Sequence, residues 1–151
     1  MLRKVLFGMM LGAILFASMF ANIFLHEEGH YAVAKSFDLS PKIHIGEVPA
    51  GEKSTFFVLS FYTTYLAKTN SQQDAEIAFA GPLVNLLLTC IFACLYFVIP
   101  KKVRGRTYLE MILLVLLIPS LVSFIVNILP IPYSDGSVIF SFITSRIPLV
   151  Y

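Results

Sequence analysis

Three long runs without a charged residue constrain this chain more than any other feature of its sequence. They are Val5–Leu25, Ile77–Pro100 and Met111–Ser134, which contain 21, 24 and 24 residues. An α-helix needs about 20 apolar residues to cross the hydrocarbon core of a bilayer, so each run is long enough to span it. The sequence therefore predicts three membrane-spanning helices.

The composition excludes most other classes of protein. Hydrophobic residues make up 58% of the chain and charged residues 13%, where a soluble domain has roughly a quarter charged residues. The mean hydropathy of +0.82 agrees with this. The net charge of +2 is too small to indicate a nucleic-acid partner. We therefore expect one integral membrane domain over residues 1–151, surrounded by the lipid bilayer.

Local signals predict the elements of this domain. Helix one covers about residues 2–36, and a β and loop region follows over about 37–73, with strands at Lys42–Ile45 and Ser54–Tyr62 and a turn around 49–53. Helix two covers about 74–99. A basic loop then contains Lys101, Lys102, Arg104 and Arg106.

The end of the chain is predicted to be a broken helix. Helix three and an Asp-containing segment occupy about 108–136, and Pro130 and Pro132 must interrupt the helix. The apolar tail over 137–151 is too short for a straightforward crossing, so a half-helix or interfacial piece is expected. The predicted fold class is a mainly α membrane protein with a three-helix transmembrane core and a small membrane-associated β element.

The strongest local motif is His26-Glu27-Glu28-Gly29-His30, at the end of the first apolar run. On a helix, two histidines four residues apart lie on one face and can bind the same ion. Two imidazoles plus a carboxylate suit zinc, and Glu27 is placed to take a proton from a water. Ionisable groups at the end of an apolar membrane helix are costly to desolvate and indicate function by default. The alternative is a polar helix end at the membrane surface.

Counting the crossings points to a third ligand. Helix one ends at the membrane face opposite its start, helix two returns, and helix three crosses back to the face of the histidine pair. There lies Asp135, the only acidic residue after Glu110. The prolines before it and Gly136 after it let a carboxylate point inward at membrane depth. The alternative is an ordinary aspartate in a turn.

Three motifs in order resemble the site-2 protease family of intramembrane zinc metalloproteases. HEEGH matches the family's HExGH helix, Asn127 to Gly136 is similar to its Asn-x-x-Pro-x-x-x-x-Asp-Gly motif, and Ala80 to Asn85 is similar to its Gly-Pro-x-x-Asn element. The resemblance implies that His26, His30 and Asp135 bind zinc and that Glu27 is the catalytic carboxylate. The chain differs from the family pattern at Tyr133-Ser134, before the aspartate, where an apolar residue is commoner in the family.

The resemblance implies a zinc-dependent endopeptidase that cuts within or near transmembrane segments of membrane-protein substrates. Glu27 would act as the general base towards a zinc-activated water. Asn127 and Asn85 would either donate hydrogen bonds to substrate or transition state, or hold helices together. The strands after residue 36 would either receive an extended substrate by edge pairing or only cover the core.

A second hypothesis is a catalytically silent, metal-binding membrane scaffold that binds transmembrane helices. The intact Glu27 favours the enzyme, because a scaffold needs the ligands and not the base. The membrane orientation is open at this point: the basic residues predict that the metal site faces outward, whereas the resemblance places it nearer the cytosol. We follow the resemblance and expect a multi-pass protein of the cell membrane.

Overall fold

The structure is a computed structural model and describes residues 1–46, 61–65, 68–99 and 106–146. Within these ranges the chain forms four helices, α1 to α4, and two strands, β1 and β2. Their bounds are α1 Leu2–Ser36, β1 Lys42–Ile45, β2 Phe61–Thr64, α2 Ser71–Val98, α3 Arg106–Ile128 and α4 Asp135–Arg146. The predicted fold class, mainly α with a small β element, is confirmed.

The first three helices are the transmembrane core. Each is long and apolar enough to cross a membrane. α2 lies at the centre of the bundle and contacts α1, α3 and α4. In its most apolar stretch 33% of the residues are buried, against 11% in α1 and in α3. The large apolar side chains on the outer faces are exposed in the isolated chain, which is expected where lipid is the solvent.

α1 and α2 approach closely beside the HEEGH motif. A Cβ atom on Gly29 would lie 2.8 Å from the carbonyl oxygen of Ala80, so only a glycine permits this distance between the two backbones. Just beyond, Ala34, Leu39 and Ile77 form a small buried core that holds the end of α1 against α2. The motif is therefore fixed at a tight helix crossing.

α2 begins earlier than the predicted start at residue 74 or 75. The Asn70 side chain accepts hydrogen bonds from the backbone nitrogens of Gln72 and Gln73, at 3.0 and 2.9 Å, and the Gln73 side chain accepts from the Asn70 nitrogen at 3.2 Å. This capping box satisfies free backbone donors and starts the helix at Ser71. α3 likewise begins at Arg106, two residues before the predicted start.

The third helix is broken as predicted. α3 ends at Ile128, and the turn that contains Pro130 and Pro132 separates it from α4. The 12 residues of α4 extend about 18 Å at 1.5 Å per residue, well short of the hydrocarbon thickness. Residues 147–151 of the predicted tail lie outside the described residues.

The two strands pair in antiparallel orientation against α1. Lys42 lies opposite Thr64 and Ile45 opposite Phe61, and the Phe61 ring packs edge-on against Phe20 of α1 at 5.0 Å. β1 has its predicted bounds. β2 continues to Thr64, past the predicted end at Tyr62. The rest of the predicted second strand, the turn around 49–53 and the basic loop at 101–105 lie outside the described residues.

Candidate metal centre

His26 and His30 lie one turn apart on α1 and are both buried. Their Nε2 atoms are 3.1 Å apart, and the rings are nearly perpendicular. The residue spacing of the motif and the continuous helix produce this arrangement, because side chains at i and i+4 lie on the same face. Two imidazole nitrogens therefore face one point.

Asp135 reaches this point from the first residue of α4. Its Oδ2 lies 3.0 Å from Nε2 of His26, and its Oδ1 lies 3.4 Å from Nε2 of His30. The structure thus brings together the three side chains that the sequence singled out as possible ligands, although more than 100 residues separate Asp135 from the histidines along the chain.

The turn before α4 explains how Asp135 is positioned. The Ser134 hydroxyl accepts from the backbone nitrogen of Ser137 at 3.3 Å, which caps α4, and it donates to the Leu129 carbonyl at 2.6 Å. A Cβ on Gly136 would collide with the Ile128 and Leu129 carbonyls, so this glycine lets α4 start against the end of α3. The serine that departs from the family pattern therefore serves as a helix cap.

The donor set fits a zinc ion. A tetrahedral zinc with ligand distances of about 2.0–2.1 Å places its ligand atoms about 3.3 Å from one another. The three contacts among His26, His30 and Asp135 are 3.0, 3.1 and 3.4 Å. A carboxylate oxygen of Glu27 also lies within 4.8 Å of histidine nitrogens, beside these three donors.

Thr63 of β2 holds the Glu27 carboxylate. Its hydroxyl lies 2.8 Å from Oε2 of Glu27 and 3.3 Å from the Glu27 carbonyl oxygen. Because the shorter contact is to the carboxylate, we take Thr63 as a donor to Oε2. This hydrogen bond distinguishes Glu27 from Asp135, whose two oxygens both face the histidines. Thr63 carried no signal in the sequence, because the contact joins residues 36 positions apart.

Each histidine ring has a partner at its second nitrogen. Nδ1 of His30 lies 2.7 Å from the Ile77 carbonyl oxygen. A carbonyl only accepts, so Nδ1 of His30 carries the hydrogen and Nε2 is free to bind a metal. Nδ1 of His26 lies 3.0 Å from Nδ2 of Asn85.

α2 also makes room for the rings. A Cβ on Gly81 would lie 2.6 Å from Cε1 of His26 and of His30 and would collide with Nε2 of His30. Pro82 is fully buried next to it and lies inside α2 without ending the helix. Gly81 therefore acts through packing against the histidines.

The two asparagines lie in different surroundings. Asn85 is fully buried and contacts His26 and Ser123. These contacts favour the second role considered above, in which Asn85 holds helices together. Asn127 lines a cavity, and its Nδ2 donates to the Ser123 carbonyl at 2.9 Å and to the Ser123 hydroxyl at 3.4 Å.

The cavity opens directly onto the histidines, Glu27 and Asp135. Its volume is about 670 Å³, within the range of about 300–1,000 Å³ usual for ligand sites. β2 lines it through Phe61, Tyr62 and Thr63. Tyr65 also lines the cavity. It donates to Asp74 at 3.0 Å, and burial together with that carboxylate raises the pKa of its phenol.

One comparison with known proteins gives a match. The family model described as peptidase family M50 matches residues 14–105, which include the HEEGH motif and Asn85 and end before Asn127 and Asp135. No curated protein and no solved structure matches the chain.

Proposed function

Because the chain belongs to peptidase family M50, the site-2 protease family, we propose that it is a zinc-dependent endopeptidase that hydrolyses peptide bonds within or near transmembrane segments. The observation that carries this proposal is that Asp135 of α4 meets His26 and His30 beside Glu27, on α1, a helix able to span the membrane. A metal implied by the family therefore has a matching set of donors in this chain.

We assign His26, His30 and Asp135 as the residues that hold zinc. When bound, zinc supplies Lewis acidity, which lowers the pKa of a water towards about 7 and polarises the scissile carbonyl. The histidine nitrogens and the aspartate oxygens already face one point, so little rearrangement of the side chains is needed to bind the ion.

Glu27 is the proposed general base. It is buried, lies next to a ligand in sequence and holds one hydrogen bond, from Thr63, to Oε2. The carboxylate can accept the proton of the attacking water at its other oxygen and then deliver it to the leaving amine. Thr63 restricts the carboxylate to this orientation.

We place the substrate in the cavity beside β2. A peptide bond in a helix is shielded by its hydrogen bonds, so the substrate must be extended at the point of cleavage. Phe61, Tyr62 and Thr63 of β2 line the cavity, where an extended segment can pair with a strand edge. Asn127 lines the same cavity, and its amide can donate to the substrate or to the oxyanion by exchanging its longer contact, 3.4 Å to the Ser123 hydroxyl.

The wider setting is also part of the proposal. We propose that residues 1–151 act as one catalytic domain in the cell membrane, with the metal centre nearer the cytosol. The substrates proposed are membrane proteins with at least one transmembrane segment.

The decisive experiment compares Glu27→Gln with the wild type and with Glu28→Gln. The control changes the neighbouring carboxylate in the same way, and Glu28 lies outside the cavity lining. We expect all three proteins to contain zinc and the Glu27 variant to lose at least about 100-fold in cleavage of single-span substrates, as expected for a general base. Turnover that survives in Glu27→Gln would exclude the proposed base. Zinc bound by the wild type without any cleavage would favour the metal-binding scaffold.

A further inference from the structure

His26 contacts polar groups of α1, α2 and α4, and Asn85 connects it to α3. One side of its ring faces Asp135 and His30, and the other side faces Asn85 of α2. Asn85 in turn lies 2.8 Å from the Ser123 hydroxyl of α3. Asn85 has no exposed surface. A buried amide inside a membrane domain indicates a specific role, because burying a polar group without full hydrogen bonding is unfavourable.

The hydrogen on His26 decides whether this ring can bind a metal. A neutral imidazole carries one hydrogen, and the nitrogen that binds the metal must be the other one. Since Nε2 of His26 faces Asp135, Nδ1 must carry the hydrogen and must donate it to an acceptor. For His30 the acceptor is the Ile77 carbonyl. For His26 the neighbouring side chain at Nδ1 is Asn85.

The Asn85 amide can supply that acceptor. At present Nδ2 faces His26 and Ser123, whereas Oδ1 is buried and has no hydrogen-bond partner among the described residues. The two ends of an amide are almost equal in size, so a half-turn of the group exchanges them. The half-turn also moves Nδ2 to the buried position of Oδ1, where the two hydrogens of Nδ2 have no acceptor among the described residues. Oδ1 would then accept from Nδ1 of His26 and from the Ser123 hydroxyl, which can rotate to donate.

We propose that Asn85 is a positioning residue for the metal centre: its Oδ1 accepts the Nδ1 hydrogen of His26, fixes the tautomer that leaves Nε2 free for the ion, and is itself held by Ser123. This inference rests on the proposed zinc site. It assigns Asn85 to the metal ligand and leaves the substrate contact to Asn127. Partners of this kind change metal affinity by about 10–100-fold in other proteins.

The test measures metal binding on the full chain in detergent, without any cleavage assay. Zinc affinity is measured by competition with a chelator, and the ligand geometry by the visible absorption of the cobalt(II)-loaded protein. The variants are Asn85→Leu, which removes the acceptor, and Asn85→Asp, which keeps acceptors at both positions. Asn22→Leu is the matched control, because Asn22 is also buried in the bundle and its hydrogen bonds go to Ser18 on its own helix.

We expect Asn85→Leu to bind zinc about 10–100-fold more weakly, with an altered cobalt spectrum. Asn85→Asp should bind zinc within about threefold of the wild type, because it keeps an acceptor for Nδ1 of His26. Asn22→Leu should bind zinc like the wild type, because Asn22 is not a partner of a metal ligand. Two results would overturn this inference: wild-type zinc affinity in Asn85→Leu, or zinc affinity in Asn85→Asp as weak as in Asn85→Leu. Neither result would contradict the proposed zinc protease function. If the wild type itself binds no zinc, the proposed function fails first.

Discussion

Replacing Gly81 with alanine tests how tightly α2 supports the metal centre. The added Cβ would lie 2.6 Å from Cε1 of both His26 and His30. Ordinary van der Waals contact begins at 3.4 Å, so the two histidine rings or α2 must move by about 0.8 Å. That exceeds the tolerance of about 0.5 Å within which a catalytic constellation must be held. A misplacement of about 1 Å can lower a rate about 100-fold.

We therefore expect Gly81→Ala to bind zinc at least tenfold more weakly and to cleave about 100-fold more slowly. Forcing one extra carbon into a packed interior also lowers stability by about 1–3 kcal/mol. Zinc affinity, turnover of a single-span substrate and the thermal unfolding midpoint should be measured on the same preparation.

The control for this variant is Gly12→Ala, in the same bundle. A Cβ there meets no atom within 4 Å, and alanine is favoured over glycine in a helix by about 1 kcal/mol. Gly12→Ala should therefore match the wild type or exceed it in stability. Wild-type zinc binding and turnover in Gly81→Ala would show that α2 does not press against the histidines, and the packing argument would be wrong.

Two further predictions concern the base and the ion. Thr63→Val removes the hydrogen bond to Glu27 with little change in shape. We expect turnover to fall by about 10–150-fold, because a bond of about 1.5–3 kcal/mol to a charged group is lost, and zinc affinity to stay unchanged. A parallel loss of zinc would contradict this role. Removing the metal with a chelator should lower the thermal unfolding midpoint of the wild type, because free zinc at a thousandfold its Kd stabilises the folded protein by about 4 kcal/mol. The midpoint of Asp135→Asn should change much less. An equal change would argue against Asp135 as a ligand.

The membrane fold could be predicted from the sequence because hydropathy and charge are local properties. The three charge-free runs correspond to α1, α2 and α3, and the interruption by Pro130 and Pro132 falls between α3 and α4. The missed start of α2 was also local: Asn70 and Gln73 form a capping box that the pattern contained.

The meeting of Asp135 with the histidine pair was predicted by counting crossings, since a membrane permits only two faces on which a helix can end. Spacing of four residues likewise fixed the pair on one helix face. What remained undetermined was which atoms support these residues.

Those supports depend on how helices and strands cross, and only the tertiary structure decided them. The contact of Thr63 with Glu27 joins residues 36 positions apart, and that of Asn85 with His26 joins residues 59 positions apart. A Cβ on Gly81 would collide with the histidine rings because α1 and α2 approach closely, as they also do at Gly29. A hydroxyl, an amide or a missing Cβ leaves no periodic pattern along the chain, since its effect depends on the distance to a neighbour that folding brings near.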